Sequence, residues 1–201
     1  MKQIISTILI TVMSIGSMLA QSDGDPKKLS VDTKKSSVKW IAEKVAGSHD
    51  GTVKIKEGSL SLDNNVIISG NIVMDMTSIT VDDIEDKDTN AKLIGHLKSE
   101  DFFSVSSHAT STFTLKNFTP KKGENGNNYE ISGTLNIKGI TNDISFPAKI
   151  NISNDVVTAA ADLTFDRTKW DIRYNSGSFF DGLGDYMIYD DVKISFTLVA
   201  Q

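Results

Sequence analysis

The sequence of 201 residues contains no cysteine. Disulfide bonds therefore cannot hold the folded chain together, and attachment of a lipid to a cysteine near the start of the chain is excluded for the same reason. Stability must come from the burial of apolar side chains and from backbone hydrogen bonds. Hydrophobic residues make up 39% of the chain, which is enough for a core, and the length fits a single all-β domain.

Arginine is also scarce, because Arg167 and Arg173 are the only two in the chain. Lysine and arginine together number 21 against 26 acidic residues, which gives a net charge of −5. Nucleic acids reward clustered basic side chains, so no nucleic-acid partner is expected. The sequence also lacks a basic amphipathic stretch of the kind that lies on a membrane surface.

Motifs for catalysis and metal binding are absent as well. The sequence has no Gly-x-Ser-x-Gly elbow, phosphate-binding loop or dinucleotide fingerprint. Its three histidines (His49, His96 and His108) lie far apart along the chain, and a metal site would need two or three to converge with carboxylates. The acidic stretch 82–88 lacks the glycine of a calcium loop. We therefore predict a non-enzymatic protein without catalytic residues, metal site or cofactor.

The first twenty residues differ from the rest. A basic start at Lys2 is followed by an apolar run from Ile4 to Leu19, and the small residue Ala20 precedes a polar stretch. This order is typical of a secretory signal peptide, and the run is short of the ~20 residues of a membrane anchor. We predict a signal peptide over 1–20, a flexible leader over 21–36 and one domain over 37–201, in a periplasmic or secreted protein.

Apolar and polar residues alternate most clearly between Tyr129 and Ile152. A period of two is typical of a strand with one buried and one solvated face. Turn-forming residues at Gly139 and at Asn142-Asp143 divide the stretch into two arms. The pattern predicts a long antiparallel hairpin, which cannot bury its apolar face without further strands.

Similar alternation elsewhere in the chain predicts about eight strands joined by hairpin-type turns, with two of the turns at 49–51 and 57–59. One stretch, Thr89 to Leu97, has helical spacing and predicts the only helix. An eight-stranded antiparallel barrel would remove every exposed sheet edge, and its lumen would be filled by side chains or hold a small apolar ligand. A two-sheet sandwich is the alternative that periodicity does not exclude.

Five local patterns occur in one order and together resemble the polyisoprenoid-binding YceI-like family. Each pattern is short, but the ordered set extends over nearly the whole domain. Many members of that family have glycine at the position of Asp171. The patterns are SVKW (37–40) with KVAGSHDG (44–51), MTSI (76–79), HLKSEDFF (96–103) with TF (112–113), GTLNIKGIT (133–141) with the arm 144–147, and FDRTKWDI (165–172) before a closing strand at 191–192.

The resemblance implies a lipocalin-like antiparallel barrel that holds a long isoprenoid chain, in an exported protein with no settled catalytic activity. An isoprenoid tail requires a long apolar surface with few polar atoms. Small Ala159 and Ala161 and flexible Met74 and Met76 favour a lumen that adapts to a ligand. The alternative is that the large apolar side chains fill a solid core. The candidate lumen residues are Trp40, Phe113, Leu135, Ile137, Phe146, Leu163, Phe165 and Phe196.

A second set of candidates is polar or amphipathic and would contact a head group. His96, in the helix-to-loop motif, could orient a head group or cap the backbone. Arg167 and Arg173, flanked by Trp170 and Tyr174, could meet a phosphate or quinone head at the barrel mouth. The alternative for both arginines is ion pairing with nearby aspartates.

We therefore expect an exported protein that carries or sequesters a long-chain isoprenoid lipid of polyprenyl or quinone type in its lumen. One alternative is an enzyme that acts on such a lipid through His96 and Arg167. Another is an interaction module that docks a membrane protein through the loop 81–88 or the segment 167–180. A homodimer formed through exposed strands is a further expectation about partners.

Overall fold

The structure is a computed structural model, and it describes residues 25–201. The predicted signal peptide lies outside the described residues. None of the described helices is long and apolar enough to cross a membrane. The strands are β1 (Lys27–Ser30), β2 (Ser37–Lys44), β3 (Gly47–Asp63), β4 (Val66–Asp75), β5 (Thr110–Pro120), β6 (Tyr129–Ile137), β7 (Ile140–Ser153), β8 (Val156–Asp166) and β9 (Ile188–Ala200).

Eight of these strands form a closed antiparallel barrel. From β2 the ring continues through β9, β8, β7, β6, β5 and β4, and pairing of β4 with β3 and of β3 with β2 completes it. The prediction of an all-β, eight-stranded antiparallel barrel is confirmed, and the sandwich alternative is wrong because pairing is continuous around the ring. Closure removes the edges of the eight strands and gives every strand an inside and an outside.

The predicted hairpin is the pair β6 and β7. Its turn is the two-residue loop Lys138-Gly139, with φ values of +53° and +77°. Positive φ at both central residues matches the twist of antiparallel strands, which is why such tight turns contain glycine. Asn142 and Asp143, predicted to help make the turn, lie in β7 instead. Ile131, Leu135 and Ile137 are buried as the alternation predicts.

β3 is longer than predicted, because two glycine-containing segments were interpreted as turns. The predicted turns at 49–51 and 57–59 are wrong, since β3 runs without interruption from Gly47 to Asp63. A Cβ on Gly51 would overlap the carbonyl of Thr80, and one on Gly58 would lie 2.7 Å from Val31 Cγ2. These glycines mark places where other segments pass close to the strand.

The prediction of a flexible leader over 21–36 is wrong for Lys27–Ser30, which form β1. This strand pairs with the second half of β3, from Lys27 opposite Leu62 to Ser30 opposite Ser59. Leu29 at its centre is 1% exposed and belongs to a buried apolar cluster. This four-residue strand was not predicted from the sequence, because it has a single buried side chain among charged and polar neighbours and so shows no alternation.

The barrel has two unlike ends, named here by what lies on them. The β1 end carries β1, the turn at Asn64-Asn65 and the end of β9. The helix end carries the long connections 76–109 and 167–187. Each end has its own cluster of buried apolar residues.

The helix predicted from Thr89 to Leu97 is α1 (Lys87–Lys98), and it is the only α-helix among the described residues. Its N-cap is Asp86, whose side chain accepts a hydrogen bond of 2.9 Å from the backbone N–H of Thr89. Leu97 is buried in the cluster at the helix end. Short 3-10 turns occupy Met76–Ser78, Glu124–Gly126, Arg167–Trp170 and Gly184–Tyr186.

Leu29→Ala should test whether β1 is part of the domain. Removing a fully buried leucine side chain typically costs ~2–5 kcal/mol of unfolding free energy. Lys28→Ala is the matched control, because Lys28 is the exposed neighbour on the same strand and should change the value by less than ~0.5 kcal/mol. Urea unfolding followed by tryptophan fluorescence measures both. Equal values for the two variants would show that β1 is not docked in solution.

Candidate functional site

The main feature of the interior is an apolar cavity of about 250 Å³ inside the barrel. Inward-facing side chains from β2 to β9 line it, together with residues of the connection that contains α1. Its volume lies slightly below the ~300–1,000 Å³ typical of small-molecule sites. All eight predicted lumen residues are among the lining side chains, namely Trp40, Phe113, Leu135, Ile137, Phe146, Leu163, Phe165 and Phe196.

The burial of the inward-facing residues shows that they line this space rather than fill it. Ile72, Ala159, Leu163 and Phe196 point to the inside of the closed barrel, yet each keeps intermediate exposure. The strand register places these four residues on the inner face of the barrel. Their remaining exposed area therefore borders the cavity and not the outer solvent. The solid-core alternative therefore does not describe the middle of the barrel.

Aromatic rings cross the lumen at its centre. Phe146 on β7 contacts Phe113 on β5 and Phe196 on β9, each with ring centroids 5.8 Å apart. Phe113 packs against the apolar clusters of both ends. The three rings therefore join the two halves of the interior into one continuous apolar surface.

Sequence reasoning missed part of the lining. β3, β4 and β5 contribute aliphatic side chains and one phenyl ring, and the helix end contributes four more residues, including Ile172. The missed strand residues follow the same two-residue alternation as the predicted ones, so the sequence does contain a signal for them. The residues of the helix end have no such signal, because their position depends on how the long connections pack over the barrel. The missed residues include Leu60, Ile67, Ile72, Leu115, Phe118, Leu97, Phe102 and Phe103.

Arg167 also lines the cavity, but its guanidinium group points to backbone carbonyls of the protein and not into the cavity. The side chain is 3% exposed, and the guanidinium donates hydrogen bonds to the carbonyls of Ile172, Ile188 and Tyr189 at 2.8–3.2 Å. Asp190 Oδ1 lies 3.3 Å from Nη2. Burial lowers the pKa of Arg167, and the charges of Asp190 and Asp166 oppose that shift. The arginine thus fastens the segment 172–190 to the barrel.

Trp170 has a comparable structural setting. It is 1% exposed, donates a hydrogen bond of 3.0 Å from Nε1 to the carbonyl of Leu135, and packs edge-on against Phe165. It does not line the cavity. Asp171 follows with φ +59°, a left-handed conformation that glycine adopts without strain and that aspartate tolerates.

His96 and Tyr174 lie outside the cavity lining, in a layer over Phe102. The His96 ring contacts the rings of Tyr174 and Phe102 with centroids 4.6 Å and 4.9 Å apart. Its Nε2 lies 3.0 Å from a carboxylate oxygen of Asp101. Of these three aromatic rings only Phe102 reaches the cavity. The structure thus brings His96 and Tyr174 together, but it does not place them in the lumen with Arg167.

The head-group role of His96, Arg167, Trp170 and Tyr174 stays a prediction. Arg173, the other arginine, pairs with Asp171 at 2.9 Å, as the ion-pair alternative expected, and lies over the ring of Phe179. Among residues 25–201 no group of three or more His, Cys, Asp or Glu side chains is placed to hold a metal ion.

A lysine on the β6–β7 turn connects the parts of the helix end. Lys138 Nζ donates to the carbonyl of Glu100 at 2.9 Å and to that of Asp171 at 3.3 Å. On β7, the Asn142 side-chain amide donates to the carbonyl of Lys169 at 2.8 Å. The connection after α1 and the segment after β8 are therefore both attached to the same hairpin.

The loop that leads into α1 is anchored to β3 by one carboxylate. Asp83 Oδ2 lies 2.8 Å from His49 Nδ1, and Oδ1 accepts a hydrogen bond of 3.1 Å from the N–H of Asp50. Desolvation raises the pKa of Asp83, but the hydrogen bonds from His49 and from Asp50 outweigh it, so the pKa lies below its usual value. The anchor therefore weakens when Asp83 is protonated.

The closed barrel with an apolar lumen defines a class of small β-barrel domains built around an internal site. A family model described as the YceI-like domain matches residues 29–200. The chain belongs to the YceI-like family.

A protein of known sequence is similar to part of this chain. A UPF0312 protein of Pectobacterium atrosepticum is 33% identical over 103 residues, which cover 50% of this chain and 44% of that protein. The aligned part thus spans less than half of the relative's length.

Solved structures share the fold at low identity. BcnA of Burkholderia cenocepacia has a TM-score of 0.65 at 24% identity and covers 85% of this chain and 99% of its own. A polyisoprenoid-binding domain from Saccharophagus degradans, implicated in plant cell wall breakdown, has a TM-score of 0.58 at 14% identity and covers 86% and 97%. At these identities the likeness shows the fold.

Asp83→Asn should reduce the loss of stability on acidification. The pKa of Asp83 is lower in the folded than in the unfolded chain, so its stabilising contribution is present above the unfolded value of ~3.9 and is lost as the pH falls through the folded value. Urea midpoints measured from about pH 5 to about pH 3 should fall less steeply in the variant than in the parent. Asp82→Asn, the neighbouring exposed carboxylate, is the control and should follow the parent curve.

Proposed function

We propose that the protein binds a lipid with an isoprenoid tail in the barrel lumen and carries or sequesters it. One observation carries this proposal, namely the continuous apolar cavity inside a closed barrel. An isoprenoid tail has almost no hydrogen-bonding groups, so a wall of apolar side chains suits it without polar mismatch. Family membership and the polyisoprenoid-binding description of the Saccharophagus structure support the ligand class.

The size of the cavity bears on how such a lipid would be held. A volume of about 250 Å³ accommodates a short stretch of tail. A longer tail must displace lining side chains or extend beyond the lumen. Met74 and Met76 line the cavity, and unbranched methionine side chains change rotamer at low cost. Rotamer changes of these two side chains would alter the shape of the cavity to fit a longer tail.

Binding without catalysis is part of the proposal. The enzyme alternative required His96 and Arg167 in a shared cleft. Arg167 is buried and bonded to backbone carbonyls, whereas His96 packs outside the lining against Tyr174 and Asp101. No observation on these two residues favours a chemical step.

Export and partners complete the proposal. The predicted signal peptide over 1–20 supports a periplasmic or secreted protein, and an apolar lumen suits a lipid that must pass through water. A membrane protein partner for loading remains a prediction. The segment predicted to dock it does expose aromatic side chains, with Phe179 at 46% and Phe180 at 53%. A homodimer also remains a prediction.

The proposal is tested by the lipid content of the purified protein. Native mass spectrometry and organic-solvent extraction should both detect an isoprenoid lipid, and added geranylgeraniol should change the fluorescence of Trp40, which lines the cavity, in a saturable manner. Protein that contains no lipid and does not respond to geranylgeraniol would contradict the proposal.

Ala159→Phe should block the lumen. Ala159 on β8 lines the cavity between Ile150 of β7 and Leu198 of β9. A phenyl group there would occupy space that the tail requires, so we expect geranylgeraniol affinity to fall by about tenfold or more, equivalent to ~1.4 kcal/mol. A fluorescence titration measures it, and urea unfolding shows that the variant is folded.

Ala160→Phe is the matched control for that variant. Ala160 is the next residue on the same strand, faces outward, and lies opposite exposed Lys149 and Thr197. Its affinity should equal that of the parent. If both variants bind like the parent, the tail does not occupy the lumen at this level.

A further inference from the structure

Both ends of the barrel are covered by packed side chains. At the β1 end, Leu29 is 1% exposed and Ala148 and Ala200 are fully buried. β1 is fastened there, because Ser30 and Gln201 exchange two backbone hydrogen bonds of 2.9 Å. At the helix end, the two long connections contribute to the second buried cluster. A lipid tail that enters through either end must therefore displace part of a packed apolar cluster.

The wall between β4 and β5 differs from these ends. The two strands pair only over residues 71–75 of β4 and 110–114 of β5. Residues 66–70 of β4 and 115–120 of β5 continue towards the β1 end as strands, but they do not pair with each other. We call this unpaired part of the wall the β4–β5 seam.

Both strands carry a bulge at the seam. The register of β4 against β3 skips Ile68, and the register of β5 against β6 skips Lys116. If the pairing of β4 with β5 continued, it would place Lys116 opposite Ser69, the neighbour of Ile68. A bulge bends its strand and interrupts the ladder. Two bulges at nearly the same level therefore account for the separation of the strands.

The neighbouring loop does not cover the seam. The loop 121–128 after β5 packs on β7 instead, where the Asn128 N–H donates to the carbonyl of Ala148 at 3.0 Å. Lys116 also turns away from β4, since its Nζ lies 2.6 Å from Oδ1 of Asp143 on β7. Within residues 25–201, no backbone hydrogen bond from a loop reaches 66–70 or 115–120.

The other incomplete pair of strands, β7 and β8, is covered. These strands pair only over 149–153 and 156–160. The 3-10 turn Arg167–Trp170 lies against the unpaired part of β7, and the Asn142 side chain donates to the carbonyl of Lys169 in that turn. The β4–β5 seam has no corresponding segment packed on it.

The apolar cavity extends to the seam. Ile67 and Gly70 on β4 and Leu115 and Phe118 on β5 all line it. On the outer side of β4, Ile68 is 50% exposed. Apolar side chains therefore border the seam on its inner and outer sides, so a hydrocarbon tail could pass without crossing a polar surface.

Two features leave space on the inner side of the seam. Gly70 has no side chain, and a Cβ there would lie 2.8 Å from Leu60 Cδ2 and 3.5 Å from Leu115 Cβ. The ring of Phe118 stacks on Tyr129 of β6, with centroids 4.1 Å apart and planes at 19°. Because β6 lies on the far side of β5, this stacking holds the ring away from β4.

We propose that the β4–β5 seam is the portal through which the lipid tail enters and leaves the lumen. Opening the seam breaks no backbone pairing between the two strands, because none is formed there. Opening an end would instead expose buried apolar side chains to water. This inference rests on the proposed function and adds the route of the ligand.

The absence of cysteine from the chain allows the seam to be locked reversibly. Ser69→Cys and Lys116→Cys place two thiols at exposed positions on its two sides, and a bis-methanethiosulfonate reagent joins them, with mass spectrometry to verify the link. Stopped-flow tryptophan fluorescence then measures the binding of geranylgeraniol. Association and dissociation should both slow about tenfold or more relative to the unlinked double variant, with little change in affinity. Dithiothreitol should restore both rates.

Asp162→Cys with Ser195→Cys is the matched control. These exposed residues lie opposite each other on β8 and β9, which pair without interruption from Val157 to Asp166 of β8. The same link across this wall should leave both rates unchanged.

Hydrogen exchange tests the seam in the parent protein. Alternate amides of 66–70 and 115–119 point into the seam and should exchange faster than the paired amides of 71–75 and 110–114, since no strand protects them. Equal protection of the two levels would show that the seam is closed in solution, and the portal would be wrong.

The kinetic results separate failure of the portal from failure of the proposed function. If the linked Ser69→Cys and Lys116→Cys variant takes up geranylgeraniol as fast as before linking, the tail enters through an end of the barrel. The lumen then remains a binding site and only its entrance is wrong. If the parent does not bind geranylgeraniol at all, the proposed function fails and the portal with it.

Discussion

The architecture depends on the pairing of one strand on both of its edges. β3 pairs with β2 and β1 along one edge and with β4 along the other, and the contact with β4 closes the ring. A strand of 17 residues can do this because its register shifts between Ile55 and Glu57, where the extra residue bends the strand. Without this closure β3 and β4 would be open edges, and the inward-facing apolar residues would not enclose a lumen.

Closure also explains why the helix end contains side chains that bond to the backbone of its connections. The ring leaves two long connections at that end, 76–109 and 167–187, and both need anchors. Arg167 and Trp170 provide them by donating to backbone carbonyls. Asp83 anchors the loop before α1 by accepting hydrogen bonds from the His49 ring and from the backbone N–H of Asp50. The backbone groups of these connections cannot pair within a sheet, so polar and aromatic side chains supply hydrogen bonds to them instead.

The barrel and its lining were largely predictable, because alternation specifies which side chains face inward once a sheet closes. The β6–β7 hairpin and α1 were predicted for the same kind of reason, namely a clear period. The wrong predictions also have a physical reason. Gly51 and Gly58 were taken for turns, although they accommodate neighbouring segments. The hydrogen bonds of Arg167 and Trp170 could not be predicted, since they depend on which backbone carbonyls lie nearby in three dimensions.

The β6–β7 turn has a mechanical consequence. A single ammonium group at Lys138 holds Glu100, just beyond α1, and Asp171, just beyond β8, at the same time. An ammonium group has three N–H donors, so one lysine side chain can bind both carbonyls at once. Loss of that single side chain would therefore remove an attachment of both segments to the β6–β7 hairpin.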